Sequence, residues 1–250
     1  MTTEIWIDYS HWETERGDTK AHVPFDWSAF RAAGGTGGTL RSCYMQTPLF
    51  STRKMVNDAL YLANVIDAQY ANAKPVSYAL FEMIAGTGQM QADFYLNNTE
   101  FFGLPALGDF ELEGSAPLTD VRRWLEYVET KTNKIPWFYS SPGWIKKHCT
   151  VADTWLRRYP LLMANYDAAA PLVTGPFLPS DVFGWQVSQR YHAPSWGVVN
   201  GNKQCALYEM YFKDNIIPTP PPPVAQWPVP NTITVTEMSA DGTVKGTWTK

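Results

Sequence analysis

The chain has 250 residues, 45% hydrophobic and 18% charged, enough to bury one large α/β core or two smaller ones. A net charge of −4 and an isoelectric point near 5.6 leave no basic stripe to neutralise phosphates, which argues against nucleic acid as a partner. No uninterrupted apolar stretch reaches the ~18 residues that a membrane-spanning helix needs, so membrane insertion is not expected.

Met1-Thr2-Thr3-Glu4 runs directly into the strand-like Ile5-Trp6-Ile7, with no room for a charged n-region and an apolar h-region. No signal peptide is expected, and synthesis in the cytoplasm follows. From there β-type and helical runs alternate, the pattern of a parallel sheet with helices outside it. Strands are predicted at 4–8, 39–46, 76–84, 104–113 and 135–141. Helices are predicted near 26–34, 51–73, 88–102, 117–133 and 142–158. The longest would start at Ser51-Thr52 as N-caps and carry Val56, Leu60, Leu62, Ala63, Ile66 and Tyr70 at three- and four-residue spacing.

After Pro160 the rhythm changes. Residues 161–166, 182–190 and 204–212 read as three strands without convincing helices between them, which makes five β/α units followed by three strands. The segment 216–231, with Pro218, Pro220 to Pro223, Pro228 and Pro230, reads as an extended polyproline II linker. Beyond it, residues 232–250 alternate polar with apolar around Asp241-Gly242, a β-hairpin signal. The expected organisation is a barrel over 1–215, a Pro-rich linker and a hairpin tail. Cys43, Cys149 and Cys205 form no CxxC pair and sit near no His at metal-ligand spacing, so buried free thiols and no metal are expected.

In Leu107-Gly108-Asp109-Phe110-Glu111-Leu112-Glu113 the acids fall at every second position, and a strand would set all three on one face, ~6.6 Å apart along the backbone. Crowded, partly buried carboxylates push their pKa values apart, so that one can donate a proton while its neighbour stays ionised. The alternative at this point is a strand whose polar face meets water. Asp8 ends the first strand, at the end of a β/α barrel where active sites assemble; it also fits a turn-capping role, and His11 a loop hydrogen bond.

Ile7-Asp8-Tyr9-Ser10-His11-Trp12 resembles the Asp-x-Ser-His-Trp opening of the family 25 lysozymes, and Asp109-Phe110-Glu111 resembles their Asp-x-Glu motif. Pro136-Trp137-Phe138-Tyr139-Ser140, residues 160–166 and Trp185-Gln186 are similar to later strands of that family. The resemblance spans about residues 4–212, in order. It implies an irregular TIM-like (β/α)5(β)3 barrel. It also implies a glycosidase that cleaves the β-1,4 bond between N-acetylmuramic acid and N-acetylglucosamine in peptidoglycan, with no cofactor. Carried over by match, Glu111 is the general acid, Asp109 orients and stabilises the reacting sugar, and Asp8 hydrogen-bonds within the site. Tyr44, Tyr139, Tyr166, Trp185 and Glu113 are the candidate substrate-binding residues, although each ring also fits core packing.

The chain departs from the family in three places. The last strand lacks the usual Asp, Glu209 being the nearest acid if the register shifts; Ala79-Leu80-Phe81 stands for a Tyr-His-Phe; and Leu162 stands for a Trp. A glycan-binding or structural barrel without turnover therefore remains an alternative. A wall substrate without a signal peptide points to a bacteriophage, with residues 216–250 as a contact to other virion tail proteins.

Overall fold

The computed structural model describes residues 2–9, 25–46, 54–166, 168–191, 205–212, 232–239 and 242–249. They fall into two compact units, Met1–Pro218 and Thr219–Lys250. Ser10, His11, Trp12, Ser51, Thr52, Asp241 and the linker 216–231 lie outside the described residues.

In the first unit the elements follow the order β1 (Thr2–Tyr9), α1 (Trp27–Ala32), β2 (Gly35–Gln46), β3 (Lys54–Asn57), α2 (Tyr61–Tyr70), β4 (Lys74–Leu80), α3 (Gly88–Asn98), β5 (Leu107–Asp109), α4 (Leu118–Thr132), β6 (Trp137–Ser140), α5 (Pro142–His148), β7 (Leu161–Ala164), β8 (Val182–Tyr191) and β9 (Cys205–Phe212). Strands β1, β2, β4, β5, β6, β7 and β8 pair in parallel, each with the next. β9 runs antiparallel to both β8 and β1 and closes eight strands into a barrel. β3 folds back antiparallel on β2 as an extra strand. The first five barrel strands are each followed by a helix and the last three are not, which is the (β/α)5(β)3 architecture expected from the chain's rhythm.

Alternation along the strands sorts the side chains into two layers. Inward-facing Trp6, Val76, Leu107, Trp137, Leu162, Phe183 and Met210 fill the barrel. Trp137 stands 6.1 Å from Trp6 and 4.3 Å from Phe183, ring centre to ring centre. Burial of each such side chain contributes about 1.5–3 kcal/mol. Gly37 on β2 makes this filling possible, because a Cβ there would come within 2.6 Å of the Trp6 ring. Facing outward, Phe110 and Phe138 pack on Trp124 of α4 and Trp144 of α5, and Ile7 and Leu40 join Val65 of α2 and Phe30 of α1 in a separate outer cluster. The free thiols of Cys43 and Cys149 are buried in the first of these outer layers.

Local signals set the helix ends. Asp26 caps α1 by accepting from the Ala29 N–H at 2.9 Å. Ser141 caps α5, with Pro142 at its first position. Asn133 ends α4 in the left-handed conformation at φ 54°.

Three elements differ from expectation. The helix predicted over 51–73 is β3, a turn and the shorter α2. The Asp58 carboxylate accepts from the Leu60 N–H at 3.1 Å in that turn, so an Asx-type turn interrupts an apolar spacing that reads as one helix. The helix predicted over 142–158 stops at His148 and resumes as a 3₁₀ turn over Thr154–Arg158.

The strand predicted over 104–113 retains only Leu107–Asp109. Past Asp109 one backbone bond to β6 remains, from the Phe110 N–H to the Tyr139 carbonyl at 2.9 Å, and side chains then take over: Ser140 Oγ donates to the Phe110 carbonyl at 2.6 Å, and the Trp144 indole N–H to the Leu112 carbonyl at 3.1 Å. Ladder bonding ends where the chain leaves the barrel.

In the second unit, β10 (Thr232–Ser239) and β11 (Gly242–Thr249) pair antiparallel, from Thr232 opposite Thr249 to Ser239 opposite Gly242. Among the described residues, no helix is long and apolar enough to cross a membrane.

Candidate active site

The carboxyl ends of the parallel strands form the mouth of the barrel, and the inward positions there change from apolar to polar. Two residues beyond Trp6 on β1 is Asp8, whose Oδ1 accepts from Thr39 Oγ1 of β2 at 3.0 Å. Two residues beyond Leu107 on β5 is Asp109, 7% exposed, with a buried Oδ1 that has no hydrogen-bond partner among the described residues. Glu111 follows on the extended segment after β5. It is pinned on both sides, by Phe110 stacked on Phe138 at 4.8 Å and by the indole bond to Leu112.

These carboxyls influence one another. Burial, and next the charges of Glu111 and Asp8, drive Asp109 well above the ordinary carboxylate range, with Arg41 opposing. Glu111 is exposed at the rim, yet the protein around its carboxyl makes desolvation the leading influence and raises its pKa. The nearby Tyr139 hydroxyl and the charge of Arg41 pull the other way. Arg41 is itself buried, at 3% exposure. It is fixed by Asp58, whose Oδ2 accepts from both Nε and Nη2 at 3.0 Å, and it lies over the Tyr44 ring at 4.7 Å. A single buried guanidinium thus faces the acid cluster from β2.

On the far wall, the hydroxyls of Tyr139 (β6) and Tyr166 both bond Gln186 Oε1 of β8, at 2.9 and 2.5 Å. Tyr208 of β9 stands 6.4 Å from Tyr139, ring to ring, and its hydroxyl lies 3.5 Å from Thr39 Oγ1. Burial raises the pKa values of Tyr139 and Tyr208 well above that of a free phenol, so both stay protonated.

Of the residues expected from the sequence, Asp8, Asp109, Glu111, Tyr44, Tyr139 and Tyr166 therefore share this mouth, linked by hydrogen bonds, charge or ring contact. Two do not join it. Glu113 lies outside, paired with Lys147 and with His148 Nε2 at 3.4 Å, because the strand that would have aligned it with Asp109 ends first. Trp185 is on the face of β8 opposite Gln186, its indole donating to the Asn165 carbonyl at 2.8 Å.

Glu209 pairs with Ile5 and Trp185, while its neighbours Tyr208 and Met210 point into the barrel. It therefore faces outward and supplies no acid there; Ala206 is the residue opposite Asp8. Arg41, Asp58, Thr39, Gln186 and Tyr208 complete the site without belonging to any expected set. An Arg between Leu40 and Ser42 in a strand was the one local signal available. No group of three or more His, Cys, Asp or Glu among the described residues could hold a metal ion.

The sequence model described as Glycosyl hydrolases family 25 matches residues 51–196, more than half of the chain. That segment includes Asp109 and Glu111; Asp8 precedes it. A lysozyme from Streptomyces coelicolor superposes with a TM-score of 0.65 at 18% identity, over 86% of this chain and 94% of that one. For a family GH25 lysozyme from Aspergillus fumigatus the values are 0.63 and 16%, over 85% and 96%. The catalytic domain of an endolysin from bacteriophage P40 of Listeria monocytogenes gives 0.60 and 12%, over 85% and 95%. No curated protein sequence matches the chain.

Proposed function

Because the chain belongs to the glycosyl hydrolases of family 25, we propose that it is a muramidase, which hydrolyses the β-1,4 bond between N-acetylmuramic acid and N-acetylglucosamine in peptidoglycan glycan strands. The observation that carries this reading is the buried Asp109, with an unpartnered Oδ1, beside the desolvated Glu111 at the barrel mouth. A raised pKa favours the protonated carboxyl, the form a general acid needs.

In the proposed reaction Glu111 protonates the glycosidic oxygen while the substrate's own acetamido oxygen attacks the anomeric carbon. This is a substrate-assisted route, to which the spacing rule for carboxylate pairs does not apply. Asp109 accepts the acetamido N–H on its open oxygen and orients the reacting sugar. Asp8, held by Thr39, hydrogen-bonds within the site. In the second half Glu111, now a carboxylate, takes a proton from the attacking water, and configuration is retained. Tyr44, Tyr139 and Tyr166 line the sugar path.

The decisive assay is release of new reducing ends from cell walls of several bacteria by the native chain and by Glu111→Gln. General acid–base catalysis is worth roughly 10²–10⁴-fold, so the variant should lose at least that much turnover while melting at an unchanged temperature. The last strand, Cys205–Phe212, contains no Asp, which favours a second reading: a barrel that binds glycan without cutting it. Binding by both proteins with no release from any wall would select that reading.

The proposal includes a setting. The likeness to a phage endolysin domain and the separate unit Thr219–Lys250 support a bacteriophage product made in the host cytoplasm and acting at the wall, with its C-terminal unit contacting other virion tail proteins. Its absence from purified particles, judged by mass spectrometry, would remove the virion assignment.

A further inference from the structure

Glu111 sits on a span that the barrel ladder does not hold. Pairing with β6 ends at the Phe110 N–H, which donates to the Tyr139 carbonyl at 2.9 Å, and the next backbone bonds come from the Ser115 and Ala116 N–H groups, both to the Met83 carbonyl. Among the described residues no backbone–backbone bond reaches 111–114. Glu111 is also exposed, so packing around its side chain does little to aim it. A carboxyl on such a span is free to drift, and a misplacement of about 1 Å at a reacting group can cost on the order of 10²-fold in rate.

Two side chains hold the span instead, one on each side of Glu111. Ser140 Oγ donates to the Phe110 carbonyl at 2.6 Å, and the Trp144 indole N–H donates to the Leu112 carbonyl at 3.1 Å. Ser140 is fully buried and Trp144 is 3% exposed, so bulk water does not compete for either bond. Both donors are fixed in their turn. Ser140 is the last residue of β6. The backbone N–H of Trp144 donates to Ser141 Oγ, the cap of α5, at 3.2 Å, and its ring packs on Phe138 at 6.1 Å and stacks on His148 at 4.6 Å. Further along, Glu113 meets Lys147 and His148, but the Glu113 and Lys147 side chains are each 60% exposed, where such pairs contribute little.

We propose that Ser140 and Trp144 are positioning residues, a two-point clamp from β6 and α5 on the Phe110 and Leu112 carbonyls that fixes the carboxyl of Glu111 at the barrel mouth. The proposal rests on the reading of Glu111 given above. The clamp touches no substrate and moves no proton; it acts through the backbone on either side of Glu111. Arg41 on β2 and Asp109 on β5, the charges next to Glu111, stay in place when the clamp is changed.

The test measures kcat and KM for reducing-end release, the melting temperature, and a carbon-13 NMR titration of the Glu111 carboxyl, all in the full chain. Trp144→Phe keeps an aromatic ring beside Phe138 and His148 but donates nothing to Leu112; kcat should fall about 10- to 100-fold while KM stays within about twofold. Desolvation is the leading influence that raises Glu111, so a carboxyl released toward water should titrate lower, nearer its ordinary value. Ser140→Ala should act in the same direction through Phe110. Once one point is free the other holds little, so the double variant should lose less kcat than the product of the two single losses. Glu113→Gln, outside the clamp, should leave kcat and the midpoint unchanged.

A lower melting temperature with kcat and midpoint unchanged would reduce both residues to packing and overturn the clamp, as would an equal loss of kcat in Glu113→Gln. If Trp144→Phe does not fold, Ser140→Ala against Glu113→Gln carries the test. A lowered midpoint in a chain that releases no reducing ends would keep the clamp and discard the muramidase reading. Release with kcat and midpoint untouched by either clamp variant would do the reverse.

Discussion

At the foot of the barrel, Trp6, Leu107 and Trp137 exclude water and pack in an apolar cluster, with the Trp6 indole N–H donating to Glu4 Oε2 at 3.1 Å; at the mouth, Asp8, Asp109 and Tyr139, each two residues further along the same strand, meet charges and hydroxyls. One turn of the period-two alternation separates packing from chemistry. The difference teaches that in this fold depth along the strand decides a residue's task, and that stability drawn from the foot holds carboxyls at the mouth in surroundings that do not suit them.

Trp137→Ala attacks the foot. It removes a 1% exposed ring packed on Trp6 and Phe183, and unfolding in denaturant should show a loss near the top of the ~3–5 kcal/mol range for such truncations. Arg41→Met attacks the mouth and should cost somewhat less, toward the lower end of ~3–5 kcal/mol, because it strands Asp58 in the interior. It should also move the alkaline limb of the activity profile to higher pH, since Arg41 holds Glu111 down.

Asp109→Asn sharpens the comparison by separating activity from stability. The pKa values of Asp109 and Glu111 are raised in the folded chain. Their contribution to stability is therefore complete below the ordinary carboxylate pKa of about 4 and is lost as pH rises through the raised values. Thermal melts of the native chain should fall in temperature as pH climbs out of the carboxylate range, and Asp109→Asn should flatten that fall while lowering turnover. The smallest effect belongs to Glu113→Gln on the outer surface, where the melting temperature should stay within the scatter of the measurement.

Much of the foot could be read from the chain, because apolar alternation and the run of five β/α units are local patterns. The mouth could be read only where a motif marked it. Asp109 and Glu111 announce themselves by spacing, but the same alternation extends to Glu113, and nothing local shows that the ladder stops at Asp109. That stop depends on Ser140 and Trp144, about 30 residues later in the chain. Arg41 depends on Asp58 across a turn that reads as helix, and Gln186 on Tyr139 from two strands away. Partners of this kind exist only after the barrel has closed.

The buried cysteines give the outer layer its own clock. Burial pushes the thiols of Cys43 and Cys149 up to about 12, leaving almost no thiolate at the pH of any ordinary buffer. Alkylation of either one therefore waits for the helices to lift from the strands. Its rate in native buffer measures how often that layer opens, without denaturant and without an introduced label.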